Sequence, residues 1–574
     1  MTFNELKKNL KKDYTGFKHL KLALLGDTAT QFLAQSIRGF GYEEHFNIQV
    51  FDADFNQVAR QIFDFNSELY SFNPDVVVVF ESGHKLLQKY NKKEIESRID
   101  FADSQLNLIV NMTEVLQNHI KTKIIFFNYA EEDDKVFGNF ANKVQGSFIF
   151  QQRKLNYLLA EYAASNSGFY ICDMSSIQNK IGRERLFSPS IYINSEMVLS
   201  LDALPIVSQS ILQIIGAFEG KIKKCLILDL DNTIWGGIIG DDGLEKIQIG
   251  SLGIGKAFTE FQLWIKKLQQ RGIIICICSK NSENIAKEPF EKHPDMILRL
   301  KDIAVFMANW ENKVDNIRHI QKILNIGFDS IIFLDDNPVE RNIVRLNILD
   351  ITVPELPKDP AEYLEYLYSL NLFETVSFSS EDAIRTEKYQ KEAERVVLKA
   401  SFSNEDDFLK SLNMISDVQS FNAFSIPRVA QLSQRSNQFN LRTVRYTEED
   451  IKNIADSEKH ITFSFTLKDK YGENGLISAI ILEKQKTKEL FIDTWIMSCR
   501  VLKRGMEDFV LNTIVDFALS HDYKSIVGEY LSTEKNSLVK NLYANLGFIQ
   551  DSNYWRLETA TYHPKACYIN KQNK

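Results

Sequence analysis

An apolar run ends in two carboxylates in LILDLDNT, where Asp229 and Asp231 stand two residues apart. Side chains alternate along a strand, so this spacing puts both acids on one side. In an open α/β sheet the carboxyl ends of the strands are where sites are built, and two acids held so close are costly to keep ionised without a cation. A second acidic pair, Asp335-Asp336, ends the apolar run IIFL farther along the chain and supplies more oxygen ligands, with Asp336 expected to be the direct ligand of the pair. Hard oxygens with no His or Cys nearby favour Mg²⁺ over zinc. Ser279 ends the run IIICIC and offers a hydroxyl to a phosphate oxygen, while Lys313 opens a helical stretch and offers a cation. The carboxylates at 229, 231 and 336 are therefore expected to converge on one divalent ion, with Asp335 beside them.

The rest of the chain is read around this site. A chain of 574 residues is too long for one core. Residues 1–215 alternate short apolar strands (Lys21–Leu25, Asp75–Phe80, Lys123–Asn128) with helical stretches, a doubly wound α/β pattern. Residues 221–356 form a second α/β unit with strands Cys225–Leu230, Ile273–Cys278 and Ile331–Leu334 and helices around Lys256–Arg271 and Lys313–Leu324. Residues 357–399 read as a helical connector. Residues 400–574 change to an α+β texture, with antiparallel strands at Ile461–Lys468, Gly475–Lys484 and Leu490–Trp495, a helix at Gly505–His521 and a strand near Ser525–Tyr530. No long insertion separates the site motifs, so a large cap is not expected. Closure over a substrate falls to the loop Trp235–Gly243 or to a neighbouring domain, an openness that suits a macromolecular substrate.

Composition excludes several classes. A formal net charge of −8 gives no broad basic surface for a nucleic-acid backbone. The six cysteines are scattered with no C-x-x-C pair, which removes the usual support for disulfide frameworks and zinc sites. The first residues are lysine-rich but lack an apolar core and cleavage site, and no apolar run approaches the ~20 residues that cross a bilayer. The expected setting is the cytoplasm, with no membrane partner.

The motifs DxDxT at Asp229–Thr233, Ser279, Lys313 and Asp335-Asp336 resemble the haloacid dehalogenase superfamily. That resemblance implies a Rossmann-like fold with a minimal cap, Asp229 as the nucleophile that forms an aspartyl-phosphate, and Asp231 as general acid then base, its backbone carbonyl helping to bind the metal. The longer wording LDLDNTIWGGIIGDDGLEKIQIG, CSKN, ANWENKVDNIRHI, FLDDNPVERNIVR and SNQFNLRTVRY is similar to FkbH-like proteins over at least residues 223–550. This implies phosphate removal from 1,3-bisphosphoglycerate and transfer of the glyceryl group, as a thioester, to the phosphopantetheine arm of an acyl carrier protein. Thr233, Trp235, Gly236, Gly237 and Asn281 are then expected at the substrate. Asn312 stands before Lys313 where the family usually has proline.

A thioester route needs a thiol. Cys278 precedes Ser279, so alternation points it away from the phosphate side. Cys499, in TWIMSCRVLKRG, lies at a strand end in the last block. Either could carry the acyl group, either could be a structural cysteine, and the carrier thiol could attack the acyl phosphate directly. The last block resembles a GNAT-like acyltransferase fold, which implies acyl-donor binding by Arg500, Arg504 and Gly505 in a loop resembling R-x-x-G-x-G, with Lys503 in place of its first glycine. Asn536 and Tyr543 are candidate site residues there. The first block resembles SGNH hydrolases through Gly26-Asp27-Thr28, with Thr28 where the nucleophilic serine would be and Asp202–Pro205 lacking the histidine. A degenerate hydrolase fold used for docking is the expectation. A plain phosphatase and a carrier-binding scaffold remain open beside the glyceryl transferase.

Overall fold

In a computed structural model, which describes residues 1–378, 385–399, 402, 404–533 and 535–572, the chain forms two compact units, Met1–Gly216 and Ala217–Lys574. The first is built on five parallel strands: β1 (Lys18–Gly26), β2 (Phe46–Asp52), β3 (Val76–Phe80), β4 (Lys123–Phe127) and β5 (Phe169–Cys172). Their order β2-β1-β3-β4-β5 is that of a flavodoxin-like sheet. Every residue of β3, VVVVF, is buried, as a central strand covered on both faces requires.

The second unit holds two sheets. The first is a parallel sheet of β6 (Cys225–Leu228), β7 (Ile274–Ser279), β8 (Val305–Ala308) and β9 (Ile331–Leu334) in the order β8-β7-β6-β9. Alternation divides its side chains between two cores. Leu226 and Leu228 pack with Phe261 and Ile265 on one face, and Cys225, Ile227, Cys276 and Cys278 pack with Ile317 and Ile320 on the other. The helices of the expected connector are part of these cores. Tyr363 and Leu367, in helix Tyr363–Leu370, join the first, and Tyr389, in helix Arg385–Lys399, joins the second. Residues 379–384 of that stretch lie outside the described residues.

The other sheet follows the order β16-β17-β15-β14-β13-β12-β10-β18, with β11 (Val418–Gln419) also on β12. Its strands are β10 (Met414–Ser416), β12 (His460–Asp469), β13 (Gly472–Lys484), β14 (Glu489–Met497), β15 (Ser525–Glu529), β16 (Ile549–Asp551), β17 (Tyr554–Glu558) and β18 (Ile569–Lys571). This is the α+β body expected of residues 400–574. Strands β14 and β15 are parallel and pair only from Glu489↔Ser525 to Phe491↔Val527. Beyond that point they part. Diverging strands expose backbone groups that an extended ligand could use, but here the chain's own residues 439–441 enter the gap. Met497 N donates to Phe439 O (3.2 Å), Asn440 bridges to Ile496, and Leu531 N donates to Leu441 O (2.9 Å).

Candidate active site

Register brings the site residues to one edge of the four-stranded sheet. Leu228 lies beside Ile277 and Leu334, so Asp229 and Asp335 follow the ends of adjacent strands and Ser279 closes β7 next to them. Asp229 N donates to Leu334 O (2.9 Å), which ties the two strand ends together. After Asp231 the chain turns through Asn232 at φ 55°, and the Asn232 carbonyl is held by the Tyr363 hydroxyl at 3.2 Å.

Ligand oxygens of Asp229, Asp335 and Asp336 lie within 4.8 Å of one another. Lys313 Nζ stands 3.0 Å from Asp229 Oδ2 and 2.6 Å from Asp335 Oδ2. Burial alone would lower the Lys313 ammonium, yet these two carboxylates hold it above the ordinary lysine range. Burial, then the Asp229 charge, pushes Asp335 up to about 6 and raises Asp336. Three carboxylates against one ammonium leave negative charge uncompensated. Asp229 Oδ1, moreover, is buried and has no hydrogen-bond partner among the described residues. An orphaned acceptor in an all-oxygen acidic cluster fits a hard divalent cation. Asp336 is fixed by its own N–H, which donates to Thr233 Oγ1 at 3.1 Å. Arg341 Nη1 donates to the carbonyls of both Asp335 and Asp336, each at 2.7 Å. Arg341 is not among the expected site residues, and its place in FLDDNPVER, on the helix that follows the acidic pair, is the one signal the sequence carries for it.

The Asp231 carboxylate does not join the metal cluster, which corrects the expected convergence of 229, 231 and 336; Asp335 is the third member. The reason is a competing set of donors. Asp231 Oδ1 accepts from Trp235 Nε1 and from Ile239 N, both at 3.0 Å, and Oδ2 accepts from Asn281 Nδ2 at 2.8 Å. Burial raises the Asp231 pKa, with the Asp229 charge also raising it and these hydrogen bonds opposing. A carboxyl poised in this way suits proton transfer.

Trp235 and the two glycines also differ from expectation. Trp235 is fully buried and serves Asp231 through its indole. Gly236 is paired with Gln248 through both its N–H and its carbonyl, and a side chain there would strike Gln248 and Phe258. Gly237, at φ 92°, donates to Asn232 Oδ1. These residues shape the loop that holds the acid.

The two thiols separate clearly. Cys278 is fully buried on the face opposite the phosphate side, with Sγ 3.8 Å from Lys313 O, and burial pushes its thiol well up. It is sealed from substrate. Cys499 is half-buried and lines a cavity, its sulfur 3.8 Å from the Tyr389 hydroxyl. That cavity also contains Lys224, which precedes β6, whereas Asp229 follows it. Cys499 therefore belongs to the opposite edge of the sheet from the carboxylates.

In the α+β body Lys503, at φ 63°, and Gly505, at φ 76°, both take the left-handed conformation before helix Met506–Ser520. Arg500 is buried, with Nε donating to Ser498 Oγ (3.3 Å). Arg504 is buried in ion pairs with Asp469 (3.2 Å) and Glu392, which corrects its expected ligand role. Asn536 is likewise structural. It is fully buried, accepts from Thr533 N and the Tyr530 hydroxyl, and donates to the carbonyls of Asn440 and Leu531, so it anchors the segment in the β14–β15 gap. Tyr543 is buried as well. In the first unit Thr28 is fully buried and Asp202 is exposed. Asp27 accepts two bonds from Ser82 N, and burial followed by the Glu81 charge pushes it up to about 8.

Parallel-sheet topology and the Asp229–Lys313–Asp335–Asp336 geometry define a phosphoryl-handling domain of the haloacid dehalogenase type. The family model for the FkbH N-terminal domain matches residues 21–216. A crystal structure of the N-terminal part of the protein BF1531 from Bacteroides fragilis, described as containing a phosphatase domain complexed with Mg, is 55% identical at a TM-score of 0.64. The match covers 66% of this chain and 100% of that one. The chain belongs to the FkbH-like family. Spermidine N-acetyltransferase from Vibrio cholerae in complex with CoA and spermine matches at 12% identity and a TM-score of 0.21, over 25% of this chain and 96% of that one. A domain from Methanocaldococcus jannaschii matches at 14% and 0.21, over 25% and 99%. Among curated proteins nothing matches. Among the described residues no helix is long and apolar enough to cross a membrane.

Proposed function

We propose that the chain is a magnesium-dependent phosphatase and glyceryl transferase that removes phosphate from 1,3-bisphosphoglycerate and delivers the glyceryl group, as a thioester, to the phosphopantetheine arm of an acyl carrier protein. The observation that carries the phosphatase part is the orphaned Asp229 Oδ1, beside Lys313 and within reach of Asp335 and Asp336. Those three carboxylates, helped by the Asp231 backbone carbonyl, would hold Mg²⁺, which screens the phosphoryl charge when bound. The Bacteroides fragilis relative is described with Mg.

In this reading an Asp229 oxygen attacks phosphorus, the bond from phosphorus to the ester oxygen breaks, and Asp231 donates a proton to that oxygen. Asp231 then takes a proton from water as the water attacks the aspartyl-phosphate. Phosphate leaves and the Asp229 carboxylate is restored. Lys313 offsets the charge of the nucleophile throughout.

The chemistry of the donor supports two separate steps. Its acyl phosphate is a mixed anhydride that a thiol displaces unaided by Asp229, whereas its other phosphate is an ester that needs a phosphatase. Cys499 fits an acyl-accepting role better than Cys278, because it lines a cavity and Cys278 is enclosed.

The test is to incubate holo carrier protein with 1,3-bisphosphoglycerate, Mg²⁺ and the full chain, and to weigh the carrier. Glyceryl-carrier is expected with the native chain, and carrier that retains the phosphate is expected with Asp229→Asn. No mass gain on any carrier overturns the transfer reading. Fast, carrier-independent phosphate release from a small phosphometabolite would favour a plain phosphatase.

A further inference from the structure

Arg341, on helix Pro338–Asn347, is buried, and its guanidinium joins two targets. On one edge Nη1 donates to the carbonyls of Asp335 and Asp336, each at 2.7 Å. On the other, Nε and Nη2 donate to the same oxygen of Glu355, at 3.0 and 2.7 Å. Four of the five N–H groups of the planar fork are thus committed. Glu355 is held in turn. Its other oxygen pairs with Arg345 at 2.7 Å, and its N–H donates to the Tyr366 hydroxyl at 3.1 Å. A trans peptide carries its N–H opposite its carbonyl, so turning two successive carbonyls toward Arg341 sends the matching N–H groups the other way. Asp336 N accordingly donates to Thr233 Oγ1 at 3.1 Å, and Asn337 N donates to Asp335 Oδ1 at 2.9 Å.

Taking Asp229, Asp335 and Asp336 as the Mg²⁺ site proposed above, we infer that Arg341, oriented by Glu355, is a positioning residue that sets how tightly that site holds the ion. Gripping both carbonyls fixes the two peptide planes, and with them the backbone from which both carboxylates project. Residues that orient metal ligands typically account for about 10–100-fold in metal affinity. The sign of the effect separates this role from that of a bare charge. A guanidinium beside a metal site repels the cation, so a pure charge effect makes Mg²⁺ bind more tightly once Arg341 is removed. Loss of the carbonyl clamp makes it bind more weakly, whether or not a charge remains.

The experiment titrates Mg²⁺ calorimetrically into the full chain and into its Arg341→Met, Arg341→Lys and Glu355→Gln variants, with the binding lost in Asp229→Asn defining the site measured. The Mg²⁺ dependence of phosphate release is followed alongside. Both Arg341 variants are expected to bind Mg²⁺ at least about tenfold more weakly, the lysine variant included although it keeps a charge. Glu355→Gln keeps the clamp but loosens its backing, and is expected to weaken Mg²⁺ at least about threefold. The Glu355 side chain is 58% exposed, so this variant keeps the fold and decides the matter even where an Arg341 variant does not fold. Its phosphate release is expected to return to within about twofold of native at saturating Mg²⁺, a recovery that general damage to the fold would not show. Native Mg²⁺ affinity in Glu355→Gln, tighter Mg²⁺ in Arg341→Met, or a Glu355→Gln rate that stays low at saturating Mg²⁺ would each overturn the assignment. A native chain that binds no Mg²⁺ would instead remove the metal site itself, a failure distinct from unchanged affinity in the variants.

Discussion

Asp229 is distinguished from its neighbours by what does not touch it. Its Oδ1 is buried without a partner, while Asp231 is fully engaged by an indole, a backbone N–H and an amide. The first arrangement leaves an oxygen for an electrophile or a metal, and the second fixes a proton carrier. General acid–base catalysis contributes typically 10²–10⁴-fold. Asp231→Asn is therefore expected to slow leaving-group release in a single turnover by about 10²–10⁴-fold for an alkyl phosphate and far less for p-nitrophenyl phosphate, whose leaving group needs no proton. Equal losses in that first step on both substrates would show that Asp231 is not the acid for the leaving group. Trp235→Phe keeps an apolar aromatic ring, though a smaller one, and removes the Nε1 donor. A hydrogen bond to a charged group is worth about 1.5–3 kcal/mol, so kcat is expected to fall about tenfold or more with little change in KM. The carboxylates were legible because strand periodicity fixes their side and their edge. The orientation of Asp231 was not, because its three donors come from a loop and a second strand end.

Alternation along β7 was also readable in advance: Ser279 closes the strand at the catalytic edge and Cys278 faces the packed core. Several strands were not anticipated. β8 spans just Val305–Ala308, too short to show a sustained apolar period, whereas β2 carries a short one in Phe46, Ile48 and Val50 that is broken by Phe51 and only partly buried in its latter half. The filled gap between β14 and β15 was likewise hidden, since no local pattern says that Phe439–Leu441 will lie there. Asn536 is the keystone of that arrangement, with four hydrogen bonds inside the core. Its replacement in Asn536→Ala strands carbonyls and an N–H without water, at a cost of about 2–4 kcal/mol. A lower thermal midpoint for the full chain is expected, with phosphate release at low temperature largely retained because the carboxylate edge lies elsewhere. An unchanged midpoint would mean that the segment is held by other contacts.

At the scale of the molecule, the cavity that Cys499 lines is assembled from residues between Lys224 and Lys535, a spread no motif could signal. Lys224 gives it a pH signature. The ammonium is lowered from 10.5 to about 8, first by burial; Cys499 and Asp329 pull it up, and Arg385 and Arg435 push it further down. Because the folded pKa lies below the unfolded one, the folded chain releases this proton first as pH rises. The unfolded chain then binds more protons, and stability gains with pH from about 8 up to the ordinary lysine value. Below about 8 both states hold the proton and the cost of burying the charge is felt in full. In Lys224→Met that cost is gone. The difference in unfolding midpoint between native chain and variant is therefore expected to favour the variant at pH 7 and to shrink steadily between pH 8 and 10. A difference that stays flat across this range would show that burial does not shift the Lys224 ammonium in the folded chain.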